Sequence, residues 1–251
     1  FLGALRRVAG IGYRSVEFAG FGGIPAKELR ASLDDYGLHA LGAHVAFDQF
    51  QDALGPTLND LKALACEYAV VPSVGERWRR DANAVQELAA ELNAIGEACK
   101  GEGLQFAYHN HHFEFVDMDD TTMYDLLTQS TDPDLVHLEL DLFWAQRGGR
   151  DPLELLDRLK GRATLVHVKD MQEDHQSDAP VGEGILPWDQ LLPAAEQAGA
   201  RYYIVEQDHP RDPMEDVRTS FDNLSRLLGV PQAGEDAPMD DVQRRSLKSR
   251  H

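Results

Sequence analysis

The chain is poor in cysteine and in lysine. Its two cysteines, Cys66 and Cys99, show neither zinc-ligand nor redox spacing. That argues against a disulfide framework and makes reduced, cytoplasmic thiols the expectation. Only six lysines are present, and 43 acidic residues face 24 basic ones for a net charge of −19. A nucleic-acid backbone partner is therefore not expected, because such binding draws on clustered Lys and Arg. An acidic, lysine-poor surface also suits a high-salt cytoplasm. No apolar run approaches the ~18 residues of a membrane span, so no membrane partner is expected. The N-terminal Phe1-Leu2-Gly3-Ala4-Leu5-Arg6-Arg7 lacks the basic-then-apolar layout of a signal peptide. Neither a long polar linker nor a fixed repeat divides the 251 residues, a length at which α/β barrels commonly form one domain.

What is present is an alternation of short apolar runs with helix-like stretches. Strands are expected near residues 14–18, 38–44, 68–71, 104–109, 136–141, 163–168 and 201–206, with helices between them. Gly37, Gly101 and Gly199 close helices, and Pro25, Pro187 and Pro213 open them. A helix is expected from about residue 52 to 67. Strand–helix alternation means βαβ units and a parallel sheet. Seven strands after an opening helix fit an α/β (β/α)8 TIM barrel lacking its first β-strand. The barrel is expected over residues 1–230, followed by a disordered tail over 231–251.

Strand parity then selects residues. Side chains alternate between faces, and a barrel strand packs one face under helices and points the other inward. Val136, Leu138, Leu140 and Leu142 share a face, which leaves His137, Glu139 and Asp141 inward. The same test turns Leu165, His167 and Lys169 inward, with Ile204 and Glu206, and with Gln105, Ala107, His109 and, if the strand continues that far, His111. Glu17 is inward, and so is His44 if Leu41 and Ala43 pack outward. Glu17, His44, His109, Asp141, His167 and Glu206 thus converge at the C-terminal rim, where barrel active sites lie.

Burying that many ionisable groups is costly without a compensating cation or substrate. A donor set of His, Asp and Glu without Cys suits one divalent ion, with Mn²⁺, Co²⁺ or Zn²⁺ favoured over Mg²⁺ by the imidazoles. The expected ligands are His109, Asp141, His167 and Glu206, one from each of four successive strands; Glu114 is an alternative to His109. Glu206, His109 and His44 are candidate bases, with Lys169 as acid or oxyanion partner. Glu17, His44, His111, Glu114 and Trp144 are expected around the substrate, and Gly182-Glu183-Gly184 forms a loop or turn beside it.

The motifs Tyr108-His-Asn-His-His-Phe-Glu-Phe115, Leu140-Asp-Leu-Phe-Trp144, His167-Val-Lys-Asp170, Gly182-Glu-Gly184 and Val205-Glu-Gln-Asp208 occur in this order. Together they resemble the xylose isomerase-like TIM-barrel superfamily, and within it the sugar phosphate isomerases/epimerases. The resemblance covers about residues 2–228. It implies one divalent metal held by an acid, an Asp, a His and a Glu, the last three matched by Asp141, His167 and Glu206. His109 stands where sugar epimerases usually carry Glu, as in inosose dehydratase-like members. The implied chemistry is proton abstraction beside a carbonyl of a carbohydrate, leading to isomerisation, epimerisation or elimination by a dehydratase or lyase. A homo-oligomer is compatible with this. An abasic-site endonuclease is disfavoured by Trp144, which stands where that class needs a histidine. A non-catalytic barrel is the remaining alternative.

Overall fold

A computed structural model describes residues 1–230; the tail expected over 231–251 lies outside the described residues. Helix α1 (Leu2–Ile11) leads into β1 (Ser15–Phe18), then α2 (Ala26–Tyr36), β2 (His39–His44), α3 (Phe47–Leu64) and β3 (Tyr68–Val71). Next come α4 (Ala82–Gly101), β4 (Gln105–His109), α5 (Met123–Ser130), β5 (His137–Asp141), α6 (Leu142–Arg147) and α7 (Pro152–Arg158). The chain continues through β6 (Ala163–Val168), α8 (Trp188–Gln197), β7 (Tyr202–Val205) and α9 (Pro213–Leu227). All seven strands pair in parallel in sequence order, with β1 and β7 at the two ends. This is a nearly closed TIM barrel. Among the described residues no strand bridges β1 to β7, and no helix is long and apolar enough to cross a membrane.

Two apolar layers lie between the strands and the helices. One is built on β1–β4 with residues such as Phe18, Leu33, Leu61, Leu88 and Phe106. The other is built on β5–β7 with Leu138, Leu140, Val166, Val168 and Leu191. A third, smaller group (Leu41, Tyr68, Val70, Ala107 and Leu165) fills the barrel interior. It occupies the inward positions just before the polar ones: Ala107 precedes His109 by two residues and Leu165 precedes His167 by two. The interior is therefore apolar on the N-terminal side, and the ionisable residues gather toward the other end.

Three local expectations need correction. Leu41 points into the barrel rather than outward, because the β1–β2 register shifts between Val16 and Glu17 and the bulge resets the alternation. Helix α3 begins at Phe47, five residues early, and is broken at Ala53 (φ −144°, ψ 42°). Pro56 lacks the amide that would bond back across that break. Leu142, grouped with the outward face of the strand before it, is instead the first residue of the short helix α6, which the Asp141 carboxylate caps by accepting the Trp144 N–H at 2.8 Å.

Candidate metal centre and active site

Asp141 shows how the backbone aims a functional side chain. The helix cap uses its Oδ1, while Oδ2, fully buried, has no hydrogen bond. The Asn110 side chain fixes the same strand end, accepting the Asp141 N–H at 3.0 Å and donating to its carbonyl at 3.2 Å. Around Oδ2 lie His167 Nδ1 at 3.9 Å and Lys169 Nζ at 3.5 Å. Glu206, just past β7, reaches His167 Nδ1 at 3.1 Å and Lys169 Nζ at 2.8 Å. Donor atoms of Asp141, His167 and Glu206 all lie within 4.8 Å of one another. These three make an outer cluster near the barrel mouth, where Glu206 is 34% exposed.

His109, the fourth expected ligand, belongs to a second, inner cluster. Its Nδ1 is 3.1 Å from Glu139 Oε2. That same oxygen lies 2.7 Å from His44 Nε2 and 3.2 Å from His167 Nε2. Glu17 Oε2 adds contacts of 3.2 Å to His44 and 3.1 Å to His167. The strand register explains the division: His109 pairs with Glu139, whereas Asp141 pairs with His167. The stagger between barrel strands sets His109 one layer below Asp141. His167 joins the clusters, with Nδ1 facing outward and Nε2 inward.

The electrostatics follow from this crowding. Burial works to lower the His44 pKa, yet the carboxylates of Glu139 and Glu17 carry it up to about 10. His167 is raised in the same way, against burial, by Glu139, Glu17 and Glu206. Burial would raise Glu139, but His167, His109 and His44 hold it well below the usual carboxylate range. Glu206 is likewise held down against burial by His167 and Lys169. Asp141 goes the other way, raised by burial despite Lys169 and the histidines. Burial opposes the charge on Lys169, but Asp141, Glu206 and Asp208 raise its pKa. Asp208 contacts its Nζ at 2.8 Å, and the Phe143 and Trp144 rings lie 5.5 and 5.2 Å away.

Six residues expected at the rim do come together, but in two tiers: Asp141, His167 and Glu206 toward the mouth, and Glu17, His44 and His109 beneath them. Lys169 joins them. His111 packs at the edge of the group, its ring edge-on to His109 at 5.0 Å and tilted against Trp144 at 5.2 Å. Its pKa falls to about 3 through burial and then the neighbouring His109 and Lys169 charges. Glu114 does not join. The turn over Phe113–Phe115 folds it back under its own strand, where it accepts from Tyr108 OH and the His111 N–H, each at 2.9 Å. It is a fully buried loop anchor rather than a substrate contact or ligand. Glu139, Asn110 and Asp208 carry weight that the strand-end pattern missed. Parity turned Glu139 inward but assigned it no role, and Asp208 lies two residues beyond Glu206 in the same motif.

Glu114 yields a pH test. Burial raises its pKa from 4.5 to about 7. The folded chain therefore holds a proton there that the unfolded chain has released, and stability is lost as pH rises from 4.5 through 7. Glu114→Gln removes the charge; its carbonyl accepts the His111 N–H, and its NH2 donates to the Tyr108 hydroxyl, which turns from donor to acceptor. It is therefore expected to stabilise the chain at pH 8 by on the order of 2 kcal/mol. Urea unfolding at pH 5 and pH 8 checks this: the variant's advantage should vanish at the lower pH.

Beside the outer cluster opens a cavity of about 820 Å³, walled by Trp144, Arg147, Glu183, Asp208, His209 and Arg211 among others. The Gly182–Gly184 turn borders it and is not free: Asp170 accepts the Gly182, Gly184 and Leu186 amides at 2.9 to 3.1 Å. A Cβ on Gly184 would lie 2.3 Å from Asp170 Oδ1, so only glycine fits.

The residues suit a divalent ion. Asp141 Oδ2, Glu139 Oε1, Glu17 Oε1 and His109 Nδ1 are buried without a hydrogen bond, a costly arrangement that a cation relieves. The donors are imidazole and carboxylate, groups that ligate divalent metal ions.

Known proteins agree with this architecture. The inosose dehydratase of Geobacillus kaustophilus is 29% identical over 193 residues, 68% of this chain and 62% of that protein. That of Clostridium tetani is 35% identical over 99 residues, 39% of this chain and 30% of that protein. In both cases the match spans less than two thirds of the relative's length. Among solved structures, a sugar phosphate isomerase/epimerase from Parabacteroides distasonis superposes with a TM-score of 0.78 at 24% identity, covering 90% of this chain and 87% of that one. Residues 5–227 match the family described as xylose isomerase-like TIM barrel, and the chain belongs to that family.

Proposed function

We propose that the chain is a divalent-metal-dependent isomerase or epimerase of a sugar or keto-sugar, working by proton abstraction next to a carbonyl. The observation that carries this is the cluster of Asp141, His167 Nδ1 and Glu206, whose donor atoms lie within 4.8 Å of one another, with Asp141 Oδ2 buried and unpartnered. Those three residues are the proposed ligands; His109 stands beneath them rather than among them. A bound divalent ion supplies Lewis acidity, polarising a carbonyl oxygen and favouring loss of a proton from the adjacent carbon.

The chain's own groups divide the remaining work. Glu206 is the proposed base: His167 and Lys169 keep it ionised, and its exposure lets it reach a substrate carbon. His109 and His44 are tied to Glu139 inside the barrel, so they stand behind the reacting atoms. Lys169 is locked in its protonated form by three carboxylates, which suits it to donate a hydrogen bond to a substrate oxygen rather than to accept a proton. Returning the proton to the opposite face of the same carbon gives an epimer. Returning it to the former carbonyl carbon gives an isomer. Glu17, His111 and Trp144 are proposed to border the substrate.

A second reading is dehydration of an inosose or related keto-sugar, in which abstraction of the same proton is followed by departure of a neighbouring hydroxyl as water. The similarity to inosose dehydratases favours it. Chromatography coupled to mass spectrometry, on products from a panel of keto-sugars and inososes, separates the readings. An isomerase or epimerase gives a new peak of unchanged mass; a dehydratase gives one lower by one water. Neither product from any member, with metal supplied, would overturn both.

A further inference from the structure

We propose that the barrel holds a second divalent cation, in the inner cluster of His44, His109 and Glu139, beneath the outer one. The inference rests on the outer ion proposed above. Three imidazole nitrogens crowd one oxygen: His44 Nε2, His109 Nδ1 and His167 Nε2 lie 2.7, 3.1 and 3.2 Å from Glu139 Oε2. A carboxylate oxygen has two lone pairs, so three good hydrogen bonds to it are one too many. The His109 contact is indeed no hydrogen bond, and Glu139 Oε1 has none at all. Both residues are almost wholly buried, at 2% and 0% exposure. A carboxylate overcrowded on one oxygen and bare on the other is poorly served by protons alone.

A cation among these atoms removes the conflict. Ligands bound at ~2.0–2.2 Å in a tetrahedron sit roughly 3.4 Å apart, somewhat beyond the 2.7, 3.1 and 3.2 Å that separate the three imidazole nitrogens from Glu139 Oε2. The donor atoms of His44, His109, Glu139 and His167 already lie within 4.8 Å of one another. His167 need not be shared. With the outer ion on Nδ1, its Nε2 carries the proton and donates toward Glu17 and Glu139, the usual way a carboxylate fixes the tautomer of a metal-bound histidine. His44 and His109 are then neutral ligands, Glu139 is the anionic one, and Glu17, 3.2 Å from His44 Nε2, lies beside them. The inner ion would have no open side toward the cavity. Its role would be to hold Glu139, Glu17 and through them His167 in place, as a structural ion beneath the reacting one.

The test is Co²⁺ stoichiometry on the full chain after chelation, read by metal analysis and visible absorption. Wild type would be compared with Glu139→Gln, His44→Gln and Asp141→Asn, with circular dichroism to confirm folding. The expected result is two ions per wild-type chain and one in each variant. The ion left in Asp141→Asn should have a different spectrum from the one left in Glu139→Gln. One ion in wild type, kept by Glu139→Gln and His44→Gln but lost in Asp141→Asn, would overturn the inner site and leave the outer reading intact. One ion lost in Glu139→Gln but kept in Asp141→Asn would overturn the outer reading, and the two-ion proposal with it. No ion in folded wild type would overturn both. The wild-type count decides even if a variant fails to fold.

Discussion

Asp141→Asn is expected to lower affinity for the outer ion by more than ~100-fold, a loss exceeding that from removing a residue that merely orients a ligand, while leaving the fold in place. The reason is the division of labour between the two carboxylate oxygens. Oδ1 caps helix α6 through the Trp144 N–H, and asparagine caps a helix as well as aspartate does. Oδ2 faces His167 and Lys169 without a hydrogen bond, and an amide NH2 there is not a ligand. Asp141→Ala should lose the ion and, in addition, about 1 kcal/mol of stability with the cap. Metal titration together with thermal unfolding separates the two effects. An Asn variant that binds metal like wild type would remove Asp141 from the ligand set.

Lys169→Met is expected to damage both stability and turnover. The ammonium is fully buried between Asp141, Glu206 and Asp208, so its loss leaves three carboxylates without their shared cation. Breaking a buried ion pair from one side costs about 3–5 kcal/mol. Glu206 and Asp208 are each about a third exposed and can turn toward water, so a loss on the order of 2–3 kcal/mol is the better expectation. In a chain of this size that lowers Tm by roughly 4–12 °C. If Lys169 also donates to a substrate oxygen, kcat should fall about 10²–10⁴-fold. A purely structural lysine would lower Tm and leave kcat of the folded fraction unchanged.

Much of this arrangement was legible in the sequence because a strand alternates faces without exception until something interrupts it. Leu138 and Leu140 against Glu139 and Asp141, or Val166 and Val168 against His167 and Lys169, fix inside and outside by themselves. Where the alternation is interrupted, the reading fails. Leu41 lies opposite the β1–β2 register shift and turns inward. Depth along the barrel axis was not legible at all, since it depends on register between neighbouring strands. His109 pairs with Glu139 and not with Asp141. One strand-end histidine therefore sits a layer below the site it was expected to complete, and Glu139 becomes the hub of that layer. Glu114 depended on a three-residue turn that folds it back onto Tyr108, a geometry that residue types alone do not specify.

Electrostatics place a further constraint on how metal binds. His167 sits among Glu139, Glu17 and Glu206, which raise its pKa, so the ion must displace a proton to reach Nδ1. Binding should therefore release protons and weaken as pH falls. Calorimetry in buffers of different ionisation enthalpy would show this as a buffer-dependent heat.

The most direct measurement is solvent isotope exchange. A responsive keto-sugar would be incubated with the chain in D₂O and followed by proton NMR, with metal supplied and with metal chelated, for wild type and Glu206→Gln. The expected result is deuterium at the carbon next to the carbonyl, dependent on metal and suppressed at least 100-fold, on the order of a general-base effect, in the variant. Turnover without any exchangeable proton, or exchange undiminished by chelation and by Glu206→Gln, would contradict metal-assisted proton abstraction at this site.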